Sequence, residues 1–282
     1  MNASNQTGFY YHADASALGG ILKLPLDRIL ATRASVSLAQ AGGFSTSRAD
    51  RFHMDGLVSF ESAQVTVFGS EDREHGSWRT IATASVERLN IFEVVTADRI
   101  VAQVSVMHPY GRGFAEISLN GAQYVNLRVN GAAVNPTWDK RAFSPRPVEG
   151  LDQEGKSLAT RGRSPRFSDL LKTAEEQYGE RTGLQKRAVE RLGSRFAMSD
   201  PRTDLDEKGS SLCSLVQEVE AEDPIEAFGP MLHVPDFGHI FFGEMLVSRF
   251  SAQLTMLRLE LGCVAHGTLS VCSAFSNGHT MP

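Results

Sequence analysis

The densest grouping of metal-capable side chains in this sequence is His233-Val234-Pro235-Asp236-Phe237-Gly238-His239, two imidazoles and a carboxylate around one Pro-Asp-Phe-Gly turn. Imidazole nitrogen and carboxylate oxygen suit zinc and similar divalent ions if the turn folds them inward, whereas an extended backbone spreads them too widely. His233, Asp236 and His239 are the candidate metal ligands, set against the plainer reading of surface histidines on a loop. Glu244 sits between Phe241-Phe242-Gly243 and Met245-Leu246-Val247. Buried flanks would raise its pKa and suit it to general acid or base work, while strand alternation turns it to solvent or pairs it with Arg258. His12, beside Asp14, and His108, before Pro109-Tyr110-Gly111, are the remaining acid–base candidates. Their polar-aromatic surroundings resemble binding loops, and the competing reading is turn residues that cap strand ends.

Other chemistries find no motif. There is no Gly-x-Ser-x-Gly elbow for a serine nucleophile and no Gly-x-x-x-x-Gly-Lys phosphate loop. Asp236-Phe237-Gly238 is not a kinase signature, because no glycine-rich loop or catalytic loop accompanies it. Cys213, Cys263 and Cys272 form no Cys-x-x-Cys pair and lie in or next to apolar strands, where inert buried thiols are commoner than nucleophiles. No cofactor is implied. Arg161, Arg163 and Arg166 offer positive charge, but nearby acids make them a solvated linker rather than a phosphate site.

The elements that must position these residues are mostly strands. Leu57 to Phe68 alternates β-branched and aromatic residues with polar ones before Gly69, and Arg79 to Val86 and Ile100 to Val106 set small or polar residues between aliphatic ones. After Trp138 the chain becomes far more charged and reads as an insertion over 139–229 between β regions at 1–138 and 230–282. Within it Phe167, Leu170, Leu171, Ala174 and Tyr178 follow helical spacing, as do Leu184, Ala188, Val189, Leu192 and Phe196, which predicts a helical hairpin. Ser211 to Val216 returns to strand-like alternation, and Leu257, Leu259 and Leu261 alternate with Arg258 and Glu260 as on a strand with one wet face. Short strands rich in Ala, Ser, Thr and Asn, with a faint repeat between Val86–Ile91 and Tyr124–Gly131, leave two cores open: an antiparallel sandwich or barrel, and a β-solenoid. The predicted fold is therefore mainly β, a sandwich or β-solenoid-like core with an inserted charged helical hairpin.

Length and charge bound the rest. A chain of 282 residues supports one large all-β domain, and a net charge of -5 with 22% charged residues provides no basic field for nucleic acid or an anionic membrane. Met1 to Gly20 lacks a basic start and a continuous apolar core, and no apolar run is long enough to span a bilayer. A reducing, cytoplasmic setting is expected for the chain as it stands, and secretion if a leader has been removed.

The flanking β regions resemble the choice-of-anchor P family, β-rich bacterial proteins that are usually exported. The matching stretches are Ala84 to Ile91, Val95 to Ile100, Gly121 to Gly131, Val234 to Gly238, Phe242 to Glu244, Leu254 to Gly262 and Gly267 to Leu269. The resemblance implies a β-rich structural role and carries over no catalytic residue. This chain departs from it in showing neither a leader nor an anchoring tail, and in carrying the charged insertion. The expected function is a non-enzymatic structural or interaction protein that self-associates or binds a protein partner through β edges and the helical insertion. The alternative is an enzyme or a small-molecule or metal-binding protein with its site at the His233-Asp236-His239 turn.

Overall fold

A computed structural model of the chain describes residues 8–110, 115–138, 210–222, 225–248, 251–262 and 265–280. Alternating apolar residues become long antiparallel strands: β1 (Phe9–Leu24), β2 (Arg28–Ser37), β3 (Gly43–Met54), β4 (Val58–Asp72), β5 (Ser77–Ile91) and β6 (Val95–Pro109). Short strands follow as β7 (Glu116–Ser118), β8 (Gln123–Val125), β9 (Arg128–Val129), β10 (Ala132–Ala133) and β11 (Asn135–Trp138). The chain resumes with β12 (Ser210–Ser214), β13 (Val216–Glu220), β14 (Glu226–Phe228), β15 (Met231–Val234), β16 (Gly238–Ser248), β17 (Ser251–Gly262) and β18 (His266–Thr280).

The first sheet, here sheet A, has the order β14-β15-β16-β17-β18-β1-β2, with β12 also on β16. Sheet B has the order β10-β9-β6-β5-β4-β3, with β7 and β8 also on β6, and β11 pairs with β13 in a small third sheet. Every pairing is antiparallel, and β1, β17 and β18 lie against β4, β5 and β6 around one continuous apolar core. That arrangement is a sandwich, not a stack of solenoid rungs. The expected hairpin at Phe167–Tyr178 and Thr182–Phe196 lies outside the described residues, among which there is no helix and so none long and apolar enough to cross a membrane. The range read as insertion, 139–229, ends in strands. β12, β13 and β14 join the sheets because Leu215, Val216, Val219 and Phe228 bury their side chains in doing so.

Both sheets reverse their inside–outside alternation along one line, with the pairing register kept across it. In sheet A the ladders that join β2, β1, β18, β17 and β16 all skip the same row, Ala34-Ala17-Cys272-Met256-Gly243, with positive φ at Ala34, Cys272 and Gly243 on alternate strands. Each central strand then has two consecutive inward residues there, such as Ala17-Leu18, Val271-Cys272 and Met256-Leu257, all buried. In sheet B the skipped row is Arg51-Glu61-Arg88-Asp98-Asn126, with positive φ at Arg51, Arg88 and Asn126. Here the extra residue points outward, as in Glu61-Ser62, Glu87-Arg88 and Asp98-Arg99.

Residues of sheet B two positions from its row bond to the sheet A row across the core. The Tyr124 hydroxyl of sheet B donates to the Met256 carbonyl at 2.6 Å and accepts from the Gly243 N–H, meeting two backbone groups that the interrupted ladder leaves open. The Cys272 thiol donates to the Ile100 carbonyl at 3.3 Å, and the Thr80 and Ser276 hydroxyls bond to each other deeper in the core. Removing the Tyr124 hydroxyl orphans both backbone groups. Tyr124→Phe is expected to cost about 2 kcal/mol in urea unfolding, against a change near zero for Tyr10→Phe, whose ring contact with His279 does not use the hydroxyl.

Candidate functional site

The outer face of sheet A gathers most of the residues singled out by type. The β15–β16 hairpin pairs His233 directly with His239 and holds their rings 4.9 Å apart, with no partner for His233 Nδ1. Asp236 occupies the turn at φ 58 and is exposed. The fold thus brings the two imidazoles together while the carboxylate stays at the hairpin tip. Among the described residues no group of three or more His, Cys, Asp or Glu side chains is arranged to hold a metal ion.

Glu244 is buried, and of the readings its position allowed, pairing with Arg258 is the one found. Arg258 Nε donates to Glu244 Oε2 at 2.7 Å and Nη2 to Oε1 at 3.3 Å, while Nη1 reaches Glu260 at 2.5 Å. The guanidinium also lies over the Phe241 ring, 3.9 Å from its centre. Positive φ at Gly243 reverses the alternation of β16 without changing its register, so Glu244 faces outward opposite Thr255 and meets Arg258 diagonally on β17. A carboxylate engaged through both oxygens by a buried guanidinium anchors the sheet face.

His108 lies inside the sandwich. β6 extends through Pro109, so His108 continues the inward series Val104, Val106 and is buried beside Phe9, which stacks on Trp78 at 4.8 Å. Its Nε2 has no hydrogen-bond partner. Burial, with a smaller contribution from His279, lowers its pKa from 6.5 to about 4 and keeps the ring neutral. His12 is exposed, 2.8 Å from Asp14, with its ring edge-on to Phe275. Cys272 is buried and burial pushes its thiol well up, so it is no nucleophile.

Two surface features escaped the search for motifs. One is a groove of about 320 Å³ on sheet A, lined by Asp14, Ser16, Ser35, Ser37, Gln253, Ser273 and Phe275 together with Ala15 and Val36. The other is a notch of about 350 Å³ on sheet B where Arg88 and Asn126 both donate to Asp98, at 3.0 and 2.6 Å, and Arg128 is spent on the Gly131 carbonyl. Neither has a one-dimensional signature, since its residues come from strands far apart in sequence.

The chain belongs to a family described as a domain of unknown function (DUF8256), whose model matches residues 9–248. No curated protein and no solved structure matches it. The matched span stops short of β17 and β18, yet these strands fill the middle of sheet A between β16 and β1. The folded unit therefore runs on to the end of β18.

Two consequences are measurable. An unfolded chain takes up a proton on His108 below about pH 6.5 while the folded one resists to about pH 4. Stability is then complete above pH 6.5 and falls through that window, by up to about 3 kcal/mol. Urea midpoints at neutral pH and near pH 4 should show this loss in the parent and a smaller one in His108→Leu. Arg258→Met leaves the Glu244 carboxylate buried without its cation and is expected to cost about 3 kcal/mol or more, most of it recovered when Glu244→Gln is added.

Proposed function

We propose that this protein is a non-enzymatic interaction protein that associates with a second copy of itself by pairing along the free side of β3. One observation carries the reading. β3 is an edge strand that pairs only with β4 among the described residues, and most of its length is exposed, including Phe44 at 65%. An edge of this length leaves a row of backbone N–H and C=O groups ready to continue the sheet.

The strand also carries the devices that restrict such pairing to a chosen partner. Arg48 and Asp50 lie 2.8 Å apart as opposite charges that an antiparallel copy of the same strand can match, and the left-handed Arg51 interrupts the ladder beyond them. The neighbouring edge β2 is tied to this side by Arg33, whose guanidinium lies 4.6 Å from the centre of the Phe52 ring. The buried ionisable groups add no support for catalysis, since Glu244 is engaged by Arg258 and His108 is enclosed by aromatic rings.

A second reading, metal binding at the His233–His239 pair, rests on the facing imidazoles and the unpartnered His233 Nδ1. Elemental analysis of the purified chain distinguishes it.

Successive amides on a strand point to opposite sides, so of Ser47→Pro and Arg48→Pro one removes an outward donor and the other a donor to β4. The parent should elute as a dimer by size exclusion with light scattering. The variant of the two that keeps the parent's unfolding midpoint should elute as a monomer. A strictly monomeric parent, or a stable variant that stays dimeric, contradicts the proposal.

A further inference from the structure

The register of sheet A sets outward side chains from separate strands into rows. One row is Ser35, Ser16, Ser273 and Thr255, on β2, β1, β18 and β17, and the next is Ser37, Asp14, Phe275 and Gln253 on the same strands. The groove of about 320 Å³ lies along these rows, beside the line where the sheet reverses its alternation. Its size falls in the range of small-molecule sites. Adjacent strands put neighbouring members of a row about 4.8 Å apart.

The lining discriminates among ligand classes. It contains no lysine or arginine, and its one charged group, Asp14, repels phosphate, sulfate and carboxylate. A single carboxylate already 2.8 Å from His12 is too little for a cation. An apolar ligand would strip water from hydroxyl, amide and carboxylate groups without replacing their hydrogen bonds. Among the described residues Ser16, Ser35, Ser37 and Gln253 make no side-chain hydrogen bonds, so their donors and acceptors are open. Phe275 adds a half-buried ring, steadied by His12 at 5.0 Å between ring centres. Hydroxyls and an amide that both donate and accept, beside an aromatic surface, match the alternating O–H and C–H faces of a pyranose.

We propose that this groove binds a neutral saccharide chain laid across β2, β1, β18 and β17. The site is on the opposite sheet from β3 and does not depend on self-association. Isothermal titration of the full-length protein with cellohexaose, xylohexaose, mannohexaose and maltohexaose tests it, with inorganic phosphate and an acidic peptide as the anionic comparison. At least one of the sugars should bind with a Kd of about 1 mM or tighter. Gln253→Leu and Phe275→Ala, on exposed or half-buried positions, should each weaken that binding about tenfold with unfolding midpoints unchanged. No binding by any of the four sugars overturns the proposal. So does sugar binding that both variants leave intact, or tighter binding of phosphate or the acidic peptide.

Discussion

Each sheet reverses its inside–outside alternation along a single line with its pairing register kept, and residues near the two lines meet across the core. Where β1, β17 and β18 each push an extra side chain inward, β4, β5 and β6 each turn one outward. The interrupted ladders leave backbone groups open, and Tyr124 and Cys272 cross the core to meet them. The same reversal decides what reaches the surface. Sheet B displays the outward row Arg51, Glu61, Arg88, Asp98, alternating in sign, with Arg88 and Asp98 bonded at 3.0 Å. Sheet A turns Glu244 to its outer face, where Arg258 holds it, and borders its hydroxyl-lined groove on this line.

Local patterning made the strands legible. The alternation over Leu57–Phe68, Arg79–Val86, Ile100–Val106 and Leu254–Leu261 falls on β4, β5, β6 and β17, with Leu57 one residue before β4. It was silent on sandwich versus solenoid, because that depends on which strands pair. The pairing of β1 with β18 joins the two ends of the described chain. The strands at 210–228 were absorbed into the charged insertion because they are short and lie among acidic residues, so composition outweighed the alternation at Ser211–Val216. The lines of reversal do have a sequence trace. Doublets such as Met256-Leu257 and Val271-Cys272, or Glu87-Arg88 and Asp98-Arg99, reverse the inside–outside phase in mid-strand, and only their alignment across strands gives them meaning.

Site residues were legible by type and less so by environment. For Glu244 the sequence leaves acid–base work, exposure to solvent and pairing with Arg258 open, and the pair with Arg258 is the arrangement found. His108 read as a turn residue, yet its place two positions after Val106 continues the buried series and puts it inside. Of His233, Asp236 and His239, antiparallel pairing joins the histidines and leaves the aspartate at the bend. The β3 edge and the sheet A groove both depend on how strands pair, so no local motif marks them.

The claim that β3 is a pairing edge is tested most directly by amide hydrogen exchange, read residue by residue across a dilution series. Amides facing β4 between Gly43 and Asp50 should be protected at every concentration, and the alternate, outward amides should gain protection as concentration rises. Outward amides that exchange freely at all concentrations would contradict the account.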